Sequence, residues 1–207
     1  MKTLTKEMQT SISPSMALDL LKEGNKRFVN NLKINRNLLQ QANETSDGQH
    51  PFAVILSCID SRTSAELIFD QGLGDIFSVR IAGNIVNDDI LGSMEFGCKV
   101  AGAKIIVVLG HTKCGAVKGA CDNVALGNLT TLISKIKPAV ENEKTTKENR
   151  NSGNADFVEN VAALNVHLSV KNILLKSPII AEMVKNDEIT IVGGIHDITT
   201  GVVTFTE

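Results

Sequence analysis

Apolar residues fall along this chain in two rhythms, and the alternation between them predicts the architecture. Four short runs, 52–56, 76–81, 104–109 and 189–192, are mainly apolar and show no strict alternation with polar positions. Runs of that kind suit strands buried on both faces, as in a parallel sheet. Between them lie segments whose apolar positions recur at helical spacing: 65–71, 88–101, 129–140 and 157–175. Strands alternating with helices predict an α/β fold with a mostly parallel central sheet flanked by helices. A last run, 202–205, is placed as an edge strand.

The opening stretch is polar as far as Ser13-Pro14-Ser15. From there Ala17, Leu18, Leu21 and Phe28 recur at helical spacing, with Asp19, Lys22, Glu23 and Lys26 between them. Ser13 is the expected N-cap and Pro14 the first helical residue of this amphipathic helix. Residues 1–35 are therefore read as an N-terminal helical arm, and 35–49 as a polar connection ending in a turn at Asp47-Gly48. Residues 141–155 are polar, with Ser152-Gly153-Asn154 near their end, and are read as a surface loop between helices. No internal repeat and no second domain emerge, so 1–207 is taken as a single domain.

Composition adds exclusions rather than a function. The formal net charge is −2 over 207 residues, which gives no electrostatic reason to expect nucleic acid or an anionic membrane surface. No apolar run approaches the roughly 18 residues needed to span a bilayer. The stretch from Met1 to Gln9 lacks the apolar centre of a secretion signal. A cytoplasmic protein is expected. Trp and Tyr are absent, so the core must rest on aliphatic residues and 7 Phe.

Candidate chemistry sits in two segments, Ser57-Cys58-Ile59-Asp60-Ser61-Arg62 and Gly110-His111-Thr112-Lys113-Cys114-Gly115, each directly after a predicted strand. Sites in open α/β sheets form beyond the carboxyl ends of strands, so the two segments can face each other. Cys58, His111 and Cys114 make a plausible three-ligand set, because zinc takes thiolate and imidazole tetrahedrally and a catalytic zinc keeps its fourth position open. Asp60 is two residues from a candidate ligand and can pair in bidentate fashion with Arg62. Cys98 and His167 fall within helical segments and Cys121 follows Gly119-Ala120; all three read as packing residues rather than ligands or a proton shuttle. Lys113 and Lys118 are either ordinary surface lysines or a mild attraction for an anion.

On these residues the sequence resembles the β-class carbonic anhydrases, whose signatures are Cys-x-Asp-x-Arg and His-x-x-Cys-Gly roughly fifty residues apart. The segments from Gly72 to Asn84 and from Asp197 to Gly201 share the likeness. The resemblance implies one Zn2+ per chain on Cys58, His111 and Cys114, a catalytic Asp60–Arg62 dyad, and reversible hydration of carbon dioxide to bicarbonate and a proton by zinc-bound hydroxide. It also implies a substrate pocket involving Gln49, Phe77, Phe96 and Gly115, with the glutamine reaching the pocket across a dimer interface. Phe96 stands where many members have Tyr, so that hydroxyl is missing. Arg80 matches one residue of a non-catalytic bicarbonate site found in some members, but Ile55 and His196 replace its other two residues, so that site is expected to be absent. A homodimer or homotetramer is expected, without nucleic-acid or membrane partners. Two alternatives stay open on sequence alone: a hydrolase of carbonyl sulfide or carbon disulfide on the same scaffold, and a non-catalytic zinc protein.

Overall fold

The computed structural model describes residues 3–206; Met1, Lys2 and Glu207 lie outside the described residues. Five strands form one sheet: β1 (Ala53–Ser57), β2 (Ile76–Arg80), β3 (Ile105–His111), β4 (Thr190–His196) and β5 (Val203–Thr206), in the order β2-β1-β3-β4-β5. The first four are parallel and β5 closes the far side antiparallel to β4. The apolar runs thus became strands as expected, and β1 and β3 are buried along their whole length.

Alternate side chains of those strands feed two cores. Val54, Leu56, Ile106 and Val108 face α5 (Asp88–Glu95), α9 (Ala155–Lys176) and α10 (Pro178–Lys185). Ala53, Ile55, Ile105, Val107 and Leu109 face the other way, toward α2 (Pro14–Val29) and α4 (Ala65–Ile68). This period of two is the pleat of a strand. Helix α2 starts as its sequence dictates: Ser13 accepts a hydrogen bond from the Met16 N–H, Pro14 opens the first turn, and Ala17 and Leu21 are fully buried.

Four sequence expectations need correction. The polar stretches before β1 contain two further helices, α1 (Lys6–Ser11) and α3 (Leu38–Glu44), capped by Thr5 and Asn37. What fixes them is polar rather than apolar: the buried Gln9 side chain donates to the carbonyls of Pro51 (2.7 Å) and Ala101 (2.8 Å), and buried Gln41 accepts from the Leu73 N–H. The helix expected over 129–140 is split into α7 (Gly127–Ser134) and α8 (Lys137–Asn142), because Pro138 fits only a first helical turn. Helix α10 was not anticipated, although Ser177-Pro178 is a start signal and Ser177 does cap it by accepting from the Ile180 N–H. The segment after α5 also departs from a plain helix, since Phe96–Val100 winds as a π-helical turn.

The polar loop after α8 is ordered around Glu143. This carboxylate is buried, accepts from the backbone N–H groups of Thr145 and Thr146, and pairs with Arg150 at 2.6 Å, whose guanidinium lies 4.6 Å from the centre of the Phe157 ring. Hydrogen bonds from its neighbours hold Glu143 down to a pKa of about 2 against the opposing effect of burial.

Candidate active site and metal centre

The chain leaves β1 toward β2 on one side and later adds β3 on the other, so strand order reverses between β1 and β3. Such a reversal opens a crevice at the carboxyl ends of the two strands. Cys58 follows the last residue of β1, and His111 is the last residue of β3. Cys114 caps the start of α6 (Gly115–Cys121) three residues later. The ligand atoms of Cys58, His111 and Cys114 lie within 4.8 Å of one another, and all three residues are buried.

The donors are arranged for a cation. Cys58 Sγ and Cys114 Sγ are 4.0 Å apart, close to the separation of about 3.8 Å that two sulfurs take on one tetrahedral zinc. The Thr112 carbonyl accepts a hydrogen bond from His111 Nδ1 at 2.9 Å, which leaves Nε2 with its lone pair free. That Nε2 is buried and has no hydrogen-bond partner among the described residues. A buried polar atom without a partner is costly, and a metal ion removes the cost. Hydrogen bonding from Cys114 lowers the Cys58 pKa against burial, aided by His111 and the Gly83 N–H, while the same pairing and burial push Cys114 upward. The residues present fit zinc.

Backbone and side-chain contacts fix each donor. Cys58 Sγ accepts from the Gly83 N–H at 3.4 Å, and its carbonyl accepts from Thr63 Oγ1 (3.1 Å) and Arg80 Nε (3.0 Å). Arg80 Nη2 also donates to the Asp60 carbonyl at 2.6 Å. Arg80 therefore clamps the turn that carries Cys58 and Asp60, a role the sequence reading did not anticipate. Thr112 is anchored to the end of β4, its N–H donating to the His196 carbonyl at 3.0 Å. His196 lies beside His111 in register and is buried; burial first, then His111, lowers its pKa to about 4.

Asp60 and Arg62 meet as anticipated. Arg62 Nε and Nη2 donate to the two carboxylate oxygens at 2.9 and 2.7 Å, and the Arg62 N–H adds a third bond at 3.0 Å. The Arg62 hydrogen bonds hold the Asp60 carboxyl well below the usual carboxylate range, with His111 contributing. The carboxylate is thus occupied by Arg62, and the metal-ligating cluster has three members rather than four.

The remaining sequence-predicted residues divide. Gly115 opens α6 next to Cys114, with open space where a Cβ would stand. Phe77 is paired with Val54, four residues before Cys58, so it stands about 13 Å down the strand from that ligand. Phe96 is exposed and meets Phe77 edge-on at 6.2 Å. Gln49 is exposed before β1, beside Gly74. Within one chain these three gather at the opposite end of the sheet edge from the metal-ligating cluster. Cys98 and Cys121 are buried outside the cluster, with burial pushing their thiols up to about 12 and about 11.

Residues 53–203 match the carbonic anhydrase family. "Carbonic anhydrase 2" of Mycobacterium tuberculosis is 34% identical over 201 residues, covering 91% of each chain. Among solved structures, the β-carbonic anhydrase CafA of Aspergillus fumigatus superposes with a TM-score of 0.72 at 26% identity, covering 93% of this chain and 90% of that one. One of two tetrameric β-carbonic anhydrases from Sordaria macrospora gives a TM-score of 0.67 at 27% identity, covering 77% and 82%. With the ligand set, the sheet topology and these similarities agreeing, the chain belongs to the β-class carbonic anhydrase family.

Proposed function

We propose that this chain hydrates carbon dioxide reversibly to bicarbonate and a proton, with zinc held by Cys58, His111 and Cys114. The observation that carries the reading is the buried three-donor cluster at the strand-order reversal, next to a carboxylate already paired with arginine. Zinc bound there supplies a Lewis acid that brings the pKa of water in an open fourth position down toward about 7.

The chain's own residues do the rest. Asp60, kept ionised by Arg62, is an acceptor only. It takes a hydrogen bond from the attacking oxygen and so aims that oxygen's lone pair at the carbon of carbon dioxide. Arg62 and Arg80 together hold Asp60 in place, one through the carboxylate and the other through the backbone. The proton released passes to buffer through solvent. The names of the relatives favour carbon dioxide over its sulfur analogues.

The pocket is completed by a second copy of the chain. Strand β2 lies at the sheet edge, bonded only to β1 among the described residues. Exposed Leu67, Leu73 and Phe96 come from the segments beside it. An open edge with apolar surroundings is a template for strand pairing. Antiparallel pairing of two β2 edges about a two-fold axis carries Gln49, Phe77 and Phe96 of one copy toward Cys58 of the other. The assembly is thus at least a homodimer, and pairing of dimers gives the tetrameric state named for the Sordaria enzymes. The four cysteines are free, as is usual in a reducing compartment, which supports the cytoplasm as its location.

Stopped-flow measurement of carbon dioxide hydration tests the activity, and sedimentation of a variant with Ser78→Pro on the β2 edge tests the assembly. Turnover that follows zinc content, lost when the edge is blocked, is the expected result.

A further inference from the structure

The turn that presents His111 and Cys114 contains a residue in an unfavourable conformation. Lys113 has φ 57, in the left-handed region that L side chains rarely adopt. This residue separates the two donors that must reach the same ion, so the orientation of its peptide sets their spacing. It is held from outside the turn. The Lys113 N–H donates to Glu159 Oε1 at 2.8 Å, across 46 residues of sequence. Glu159 stands near the start of α9, on the far side of the polar loop.

Among the described residues, nothing else accounts for that carboxylate. Its second oxygen, Oε2, is buried with no partner, and the bond to Lys113 is its one hydrogen bond among the described residues. Burying a carboxylate oxygen without a partner is unfavourable, and the bond that the other oxygen accepts from Lys113 is what offsets that cost. The flanking residues are secured separately: Thr112 through the end of β4, and Cys114 as the first carbonyl of α6, accepting from the Lys118 N–H. Lys113 is the link that, among the described residues, only Glu159 fastens through the backbone. The lysine ammonium adds just a 3.4 Å contact with Thr199 Oγ1 at the surface.

We propose that Glu159 is a positioning residue for the metal centre: it locks the left-handed Lys113 peptide and thereby presets His111 and Cys114 to bind one ion. This rests on the zinc reading given above. Glu159 does not touch the ion or the substrate; it acts through the turn.

The test uses the full chain carrying Glu159→Ala or Glu159→Gln. Zinc affinity is measured by competition with a chelator, and the d–d absorption bands of the cobalt(II)-substituted protein are recorded as a probe of ligand geometry. Glu159→Ala should weaken zinc binding about 10- to 100-fold, the range seen when residues supporting metal ligands are removed, and should shift the cobalt bands. Glu159→Gln keeps an oxygen acceptor and should remain close to wild type in both. Should the alanine variant fail to fold, Glu159→Asp, which retains the charge but falls short of Lys113, should show the same weakening and band shift. Unchanged affinity and spectrum in the alanine or aspartate variant overturn the proposal, as does an equal loss in the glutamine variant. Wild-type protein that takes up neither zinc nor cobalt overturns the ligand assignment itself, and the positioning role with it.

Discussion

Gly83 is where backbone conformation and the metal centre meet, and replacing it by alanine gives a prediction whose size follows from the structure. Its φ is +67, and its N–H is the backbone donor to Cys58 Sγ. Its carbonyl accepts from the buried Asn165 side chain at 2.8 Å, so the peptide is held from both ends. A Cβ there would stand 2.6 Å from Ile136 Cδ1 and 3.2 Å from the Ala116 Cβ. The left-handed conformation costs an alanine about 1–2 kcal/mol relative to glycine. Overpacking against fully buried Ile136 adds about 1–3 kcal/mol. Glycine-to-alanine should therefore destabilise the protein by about 2–5 kcal/mol, measured by denaturant unfolding at fixed protein concentration. The two contributions separate in a double-mutant cycle. Ile136→Val removes the clashing Cδ1 and by itself costs about 0.5–1.5 kcal/mol. In the double variant the steric part should vanish while the conformational part stays, so the double loss should fall short of the summed single losses by at least about 1 kcal/mol. Strict additivity, or a single-variant loss under about 1 kcal/mol, would refute the reasoning.

Other perturbations probe other parts of the account. Arg62→Ala should keep stoichiometric zinc yet lower kcat/KM about 100-fold, the scale of a misplaced catalytic group; full turnover in that variant removes the dyad from the mechanism. Arg80→Ala, which frees the carbonyls of Cys58 and Asp60, should reduce both zinc affinity and kcat/KM, whereas loss of stability alone would make Arg80 purely structural. Asp70 is buried and pairs with Arg27 and Arg36, and it also accepts from the Ile34 N–H. Burial alone would raise its pKa, but these partners outweigh burial and the folded-state value lies below the ordinary 3.8. The stabilisation it supplies is therefore complete above that value and disappears as pH falls through the depressed one. Asp70→Asn should cost about 3 kcal/mol at neutral pH, with the gap to wild type closing in acid; a gap independent of pH would contradict the pairing.

Much of this was legible in the sequence, for identifiable reasons. A parallel sheet covered on both faces imprints continuous apolar runs, and 52–56 and 104–109 carried that imprint clearly. The ligands were legible because Cys58 and His111 stand directly at the ends of those runs, where the topology turns them toward each other. The Ser13-Pro14 start of α2 was equally plain. Helices α1 and α3 were not, because they are fastened by the amides of Gln9 and Gln41, and a buried amide leaves no hydrophobic period to read. Glu159 was invisible for a different reason. Its importance comes from a left-handed backbone at Lys113, a residue type that does not announce such a conformation. Gln49, Phe77 and Phe96 could be picked out only through the family likeness, since within one chain they lie far from the ligands and their proposed role needs a second copy.

The central claim is that the cluster of Cys58, His111 and Cys114 holds a zinc that drives carbon dioxide hydration, and one measurement addresses it directly. Zinc content and stopped-flow hydration rate are determined on the same purified sample on the alkaline side of neutrality, before and after chelator treatment and zinc restoration. The account predicts stoichiometric zinc, fast hydration, loss of rate in step with loss of metal, and recovery on adding zinc back. Bound zinc with no hydration at any alkaline pH, or fast hydration that survives removal of the metal, would contradict it.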